Sequence, residues 1–335
     1  MNEATWHRIW SQRGLWAHML WPLSMVYRVL LAVRRGLYRW GYLTTNQLPV
    51  PVLVVGNVLV GGTGKTPVTL ALIEQLGLLG WRIGVVSRGH GRKTSATTLL
   101  NSNSTAEQVG DEPLLIQRRT GVPVSVGANR TQAARLLLDK HPELNLIICD
   151  DGLQHAALRH DLALCIFDHR QLGNGWLLPA GPLREPWPLI GSGRAPVWVL
   201  SSDPNAWPDA WPIHRTLSPL AVNGHGRKTD WKKLNQPVKA LAAIGQPDVF
   251  FQSLRSAGLV VETALAFPDH DDLKQWHPEP GTDWVCTEKD AVKIWQRHPE
   301  VWAIPLELKL PYALIDQLSQ FLQARLSSHH GPQTI

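Results

Sequence analysis

The stretch Pro51-Val52-Leu53-Val54-Val55-Gly56-Asn57-Val58-Leu59-Val60-Gly61-Gly62-Thr63-Gly64-Lys65-Thr66-Pro67 decides how the rest of the chain is read. Its first five residues are wholly apolar, the pattern of a short strand buried on both faces of a parallel sheet. A glycine-rich turn, Gly-Lys-Thr and a helix expected from about Pro67 to Leu76 follow. Together these make a phosphate-binding loop, in which glycines let successive backbone N–H groups curl around phosphate oxygens at a helix N-terminus. Leu59, Val60, Gly61, Gly62, Thr63, Gly64, Lys65 and Thr66 are the candidate nucleotide contacts, with Lys65 expected at the β- and γ-phosphates and the Thr66 hydroxyl on Mg²⁺. Leu59 stands where the strict pattern has glycine.

About 85 residues downstream, Leu144–Cys149 reads as a second buried strand and runs into Asp150-Asp151-Gly152. An apolar strand ending in aspartate is what a P-loop enzyme uses to hold Mg²⁺ or its waters. Further apolar strands are expected at Arg82–Ser87, Val122–Val126, Leu162–Phe167 and Pro196–Leu200, with helices at Glu112–Arg119 and Arg130–Lys140. This alternation predicts a doubly wound parallel α/β sheet with its ligand at the carboxyl ends of the strands. Beyond residue 200, Ser201–Pro219 is rich in Pro and Trp and reads as a connector. Strands at Val238–Ile244, Val260–Phe267, Trp284–Thr287 and Trp302–Leu308, with helices at Asp248–Ala257 and Tyr312–Leu326, suggest a second, smaller α/β unit. The expected division is an arm (1–45), a nucleotide-binding domain (46–200), the smaller domain (201–330) and a tail (331–335). Ser328–Ile335 reads as unstructured.

The 335 residues, 44% apolar and 18% charged, exclude a disordered or fibrous chain. Three widely spaced cysteines (Cys149, Cys165, Cys286) exclude a disulfide scaffold or a CxxC metal cluster. The net charge of +6 would suggest nucleic acid, but residues 1–50 hold six arginines against Glu3 alone, so the body is nearly neutral and no nucleic-acid partner is expected. The arm's most apolar part, Met19–Val33, contains Pro22 and Arg28, which argues against an ordinary spanning helix, and no small-residue cleavage site marks a signal peptide. On a helix, Val26, Val29, Leu30, Val33, Leu37 and Trp40 form one stripe, with Arg28, Arg35 and Arg39 opposite. That pattern, with four tryptophans in the first 21 residues, suits a helix lying in a membrane interface.

Three further segments bear on the chemistry. Ser87-Arg88-Gly89-His90-Gly91-Arg92-Lys93 follows a strand and reads either as an anion site or as a solvated basic loop. Gly110-Asp111-Glu112-Pro113 opens a helix, where Asp111 could serve only as a cap. The segment Gly173–Pro186 is too rich in Gly and Pro for a strand or helix, as functional loops often are. Thr287-Glu288-Lys289-Asp290 invites comparison with the guanine-reading Asn/Thr-Lys-x-Asp motif, but Lys289 falls one place late.

Gly-Gly-Thr-Gly-Lys-Thr-Pro, Ser-Arg-Gly-His-Gly-Arg, Gly-Asp-Glu-Pro, Asp-Asp-Gly-Leu-Gln-His and Leu-Pro-Ala-Gly-Pro-Leu-Arg-Glu-Pro, in this order, resemble the tetraacyldisaccharide 4′-kinases of lipid A biosynthesis. Departures are His90 where tyrosine is expected and Leu153 where phenylalanine is common. The resemblance implies a two-domain kinase on the cytoplasmic face of the bacterial inner membrane. It would transfer the γ-phosphoryl of ATP, with Mg²⁺, to the 4′-hydroxyl of a tetraacylated disaccharide 1-phosphate, giving lipid IVA. It further implies Asp111 as general base assisted by His270, with Thr66, Asp150, Asp151 and Glu185 around the metal. Arg88, Arg92, Arg130, Gln154 and His155 would contact phosphate or substrate. A membrane-associated P-loop switch or metallochaperone is the alternative, disfavoured by the lack of a Cys/His cluster and of a proper guanine motif. A soluble small-metabolite kinase would leave the arm unexplained.

Overall fold

The computed structural model describes residues 3–189, 195–203 and 205–329. The chain runs α1 (Glu3–Ser11), α2 (Leu15–Arg39), β1 (Val52–Gly56), α3 (Lys65–Leu78), β2 (Ile83–Ser87), β3 (Thr98–Leu99), α4 (Ala106–Val109), α5 (Asp111–Thr120), β4 (Val124–Val126), α6 (Arg130–Lys140), β5 (Leu146–Asp150), β6 (Leu162–Phe167), β7 (Val197–Ser201) and β8 (Trp211–Pro212). It continues through β9 (His214–Leu217), β10 (Leu220–Asn223), β11 (Lys228–Asp230), β12 (Val238–Ala242), α7 (Pro247–Ser256), β13 (Val261–Ala266), β14 (Trp284–Cys286), α8 (Glu288–Ile294), β15 (Trp302–Ala303), β16 (Leu306–Lys309) and α9 (Tyr312–His329).

The larger sheet has the order β3-β4-β2-β5-β1-β6-β7-β8 and is parallel throughout except for β3. Successive residues of its central strands feed opposite layers, which is why these strands read as unbroken apolar runs. Leu53 and Val55 of β1 face α3, α5 and α9, whereas Val52 and Val54 face α6. Register places Val55 beside Asp150, so the phosphate loop and the Asp-Asp turn leave the sheet side by side. The smaller sheet, β11-β10-β15-β14-β12-β13, packs α7 on one face and α8 on the other.

The structure corrects four expectations. Tyr312–Leu326 does not complete the smaller unit: α9 buries Leu314, Leu318 and Leu322 in the core of the larger sheet, where Trp81 Nε1 donates to Ser319 Oγ (2.9 Å). Ser201–Pro219 is more than a connector, because β8 extends the larger sheet and β9 pairs with β16 in a separate ribbon. The expected strand Trp302–Leu308 divides at Pro305 into β15 and β16, which belong to different sheets. Helix α9 also runs to His329, into the segment expected to be irregular, and residues 331–335 lie outside the described chain.

Helix α2 is anchored by polar groups on its inward side, where Ala17 is also buried and Leu31 packs against the cluster of Leu59, Leu177 and Leu183. Ser24 Oγ donates to the Leu177 carbonyl (2.8 Å) and Tyr27 OH to that of Arg184 (2.9 Å), while Arg35 pairs with buried Glu185 (2.9 Å). Its outward side exposes Leu15, Trp16, Met19, Leu23, Val26, Val29, Leu30 and Val33. The stripe is therefore where the sequence placed it, but Arg35 belongs to the protein contact rather than to a free basic face.

Candidate active site

The turn between β1 and α3 is held from outside by arginines. Arg170 donates to the carbonyls of Val60 (3.4 Å) and Gly62 (2.8 Å), and Arg215, on β9, donates to that of Thr63 (2.6 Å). With these carbonyls occupied, the backbone N–H groups of residues 61–64 have no protein acceptor among the described residues, leaving a row of donors for an anion. Gly64 caps α3 with φ +81°, a left-handed conformation that favours glycine. Leu59 is buried among Cys165, Phe167, Leu177 and Leu183. It occupies a glycine position because its side chain serves the core, while the Gly/Pro segment runs alongside through Val60 N–H to Pro182 O (2.9 Å) and Arg184 N–H to Val58 O (2.7 Å).

Lys65 lies 3.6 Å from Asp151, which Arg184 grips with two nitrogens (3.2 and 3.3 Å). Asp151 takes φ +51°, fixed by its N–H bond to Val55 O (2.9 Å). Asp150 is fully buried. Its Oδ1 accepts from Thr69 (3.1 Å), Oδ2 has no partner, and burial with the charges of Glu112 and Asp151 pushes its pKa well above the carboxylate range. Thr66 is buried on the first turn of α3. Among the described residues no three His, Cys, Asp or Glu side chains converge to hold a metal ion, so Thr66, Asp150, Asp151 and Glu185 do not form a ready-made cage. Glu185 itself sits on Arg35.

The expected anion contacts divide. Arg130, buried at the start of α6, has an unpartnered Nε, and Arg88 is exposed nearby. Burial, reinforced by Arg130, Arg34 and Arg88, lowers the His155 pKa to about 4, so the ring is neutral at pH 7. Gln154 is committed to the turn after β1, donating to Asn57 O (2.9 Å). Arg92 donates to the carbonyls of Ser95 and Ala96 in its own loop.

Asp111 is buried at the first position of α5, after Gly110 (φ +92°). Its Oδ1 accepts from Glu112 N–H (3.0 Å), and its Oδ2 faces His270 Nδ1 (3.1 Å), Lys293 (3.5 Å) and Lys289 (3.7 Å). Burial works to raise the Asp111 pKa, but the His270 hydrogen bond and the two ammonium charges outweigh it and hold the carboxyl far below its usual range. His270 also has positive φ (+63°) and packs its ring on His90. The sequence reading had joined Asp111 to His270 only by resemblance; the fold brings them together across 159 positions. It missed Lys289, Lys293, Arg170 and Arg215. The first two lie in or beside Thr287–Asp290, the segment whose spacing spoiled the guanine motif.

This constellation stands at the carboxyl ends of the central strands, and comparison with known proteins gives it a lineage. The family model for tetraacyldisaccharide-1-P 4′-kinase matches residues 16–323. The chain belongs to this family. A tetraacyldisaccharide 4′-kinase of Acidovorax sp. (strain JS42) is 49% identical over 96% of this chain and 95% of its own, and one of Dechloromonas aromatica is 43% identical over 94% of each. The crystal structure of LpxK from Aquifex aeolicus in complex with ATP superposes with a TM-score of 0.79 at 30% identity, covering 92% of this chain and 99% of that one.

Proposed function

We propose that this protein is an ATP-dependent kinase that phosphorylates the 4′-hydroxyl of a tetraacyldisaccharide 1-phosphate. The observation that carries the reading is the buried Asp111–His270 pair beside a phosphate loop whose amides are free to bind. Phosphoryl transfer passes through a loose transition state, so positioning and charge stabilisation supply most of the acceleration. The N–H groups of residues 61–64 and Lys65 hold the phosphates, and Arg215 and Arg170 keep the loop rigid from behind. Asp111 receives the proton of the acceptor hydroxyl, and His270 orients the carboxylate. A weak base suffices, because the hydroxyl loses its proton late in such a transition state. Arg130 and Arg88 supply positive charge for an anionic group.

The orphaned Oδ2 of Asp150, buried behind the phosphate loop, fits a divalent cation, and Thr66 is the other residue expected to hold it. Mg²⁺ bound there would neutralise charge on the transferring phosphates. The outward apolar side of α2 is read as a lipid-facing surface. From Ser24 to Arg35 its inner side is bonded to the body over about 16 Å, which suits a helix lying in the interface of the cytoplasmic leaflet better than one crossing the bilayer.

The test supplies γ-labelled ATP, Mg²⁺ and tetraacyldisaccharide 1-phosphate in detergent micelles to the wild type and to Asp111→Ala. Label should pass to the lipid with wild type and fall about a hundredfold or more in the variant. ATP hydrolysis without lipid labelling would return the protein to the class of P-loop switches, and equal labelling by the variant would reduce Asp111 to a helix residue.

A further inference from the structure

We propose that Lys289 is a positioning residue that selects the neutral, Nδ1-protonated form of His270 and thereby fixes the role of the Asp111–His270 pair. The inference deepens the kinase reading and, in its activity arm, rests on it.

An ammonium group donates hydrogen bonds and accepts none. Lys289 Nζ lies 3.4 Å from His270 Nε2, so this nitrogen must present its lone pair, and the ring proton belongs on Nδ1. Nδ1 faces Asp111 Oδ2 at 3.1 Å, where an N–H is what the carboxylate accepts. The opposite tautomer sets N–H against ammonium and lone pair against carboxylate, two repulsive contacts. A doubly protonated ring would place a second cation beside Lys289. Of the two neutral tautomers only Nδ1–H satisfies both neighbours. Lys289 works to keep the ring neutral against Asp111 and Asp269, the latter 3.8 Å from Nε2, which draw its pKa above the usual value.

The lysine is well placed to enforce this choice. It projects from the first turn of α8, capped by Thr287, whose Oγ1 accepts from Asp290 N–H. Asp290 in turn accepts from Ala243 N–H (3.0 Å) at the end of β12, which ties the turn to the smaller sheet. Around the ammonium stand Asp269 (3.3 Å), Glu112 (3.5 Å) and Asp111 (3.7 Å), so its charge is retained despite burial. Lys293 differs, because Asp290 and the Asp271 carbonyl occupy it and it faces Asp111 rather than the ring. The charged and titratable groups around His270 are thus Asp111 and Glu112 of α5, Asp269 of its own loop, Lys289 and Lys293 of α8, and the His90 ring.

The assignment decides between two roles for the histidine. With a proton already on Nδ1, His270 cannot take one from Asp111 through that nitrogen, so it orients the carboxylate rather than relaying its proton. Lys289 also bridges the two sheets, since the groups it touches come from both.

The decisive measurement is a long-range ¹H–¹⁵N spectrum of ¹⁵N-histidine-labelled full-length protein in micelles, with the His270 signals assigned by their loss in His270→Gln. The wild type should show Nδ1 protonated and Nε2 bare at pH 7.5. Lys289→Met removes the cation, so the imidazolium persists to higher pH and the His270 midpoint should rise by about half a unit or more. The acid limb of kcat/KM should move the same way, with kcat down about tenfold and the KM for ATP within about twofold. Lys289→Arg should restore the midpoint and most of the rate. An Nε2–H or charged ring in the wild type would overturn the proposal without any variant having to fold. So would an unmoved midpoint in Lys289→Met, whatever its rate. These spectra need no turnover, so failure of the wild type to label lipid would strike the kinase reading alone.

Discussion

The two long helices at the ends of the chain face the protein with opposite surfaces. Helix α9 turns Leu314, Leu318 and Leu322 inward, each fully buried against the larger sheet. Helix α2 turns Ser24, Tyr27 and Arg35 inward and leaves Val29 and Leu30 about 60% exposed. Both are amphipathic, so amphipathicity alone does not say which face meets the body. A globular core takes up an apolar face. A polar face is held inward only where specific acceptors await it, here Leu177 O, Arg184 O and the Glu185 carboxylate. The apolar face of α2 is left exposed, and it is the face proposed above to meet lipid.

Three variants sharpen or break this contrast, in descending order of expected effect on stability. Leu318→Ala should lose about 2–5 kcal/mol in chemical denaturation, a large part of a typical stability of about 5–15 kcal/mol. A near-neutral result would mean α9 is not part of the core. Arg35→Met should lose about 1–2 kcal/mol, because it takes the Arg35 cation away from buried Glu185 while Arg35 itself is partly screened by water. No loss would show that the inward polar face of α2 is incidental. Leu30→Ser with Val33→Ser should change stability by no more than about 0.5 kcal/mol. The same pair should weaken binding to vesicles of anionic and zwitterionic lipid by about tenfold or more in cosedimentation, since two apolar side chains leave the acyl region. Unfolding by this pair on the scale of Leu318→Ala would mean that another protein surface, not lipid, covers the face.

Much of the larger sheet was legible in the sequence, because strands buried on both faces form apolar runs that need no partner to be recognised: Leu162–Phe167 matches β6 at both ends. The helix Arg130–Lys140 was equally plain, being capped by Asn129, whose side chain accepts from Thr131 and Gln132. The short strands were not. Trp211–Pro212 and Lys228–Asp230 lack the length to show a period, and only pairing with neighbours makes them strands. Pro305 hides a change of sheet inside what reads as one run.

The candidate site divides along the same line. The phosphate loop and Asp150-Asp151 are local objects, and a strand followed by glycines and Gly-Lys-Thr determines their place in any fold of this class. Asp111, Glu112, Asp269, His270 and Lys289 are not local. Each looks like an ordinary capping, loop or surface residue until α5 of one sheet and the loop and helix beside the other are packed together. The direction of α2 has the same origin, since Arg35 is one arginine among six until Glu185 arrives from 150 positions away. By itself the sequence determined the long buried strands, the glycine-rich turn and an amphipathic arm, because periodicity and backbone geometry act within a few residues. The tertiary structure alone decided which carboxylate is surrounded by cations and which face of the arm stays exposed, because charge and burial depend on neighbours distant in the chain.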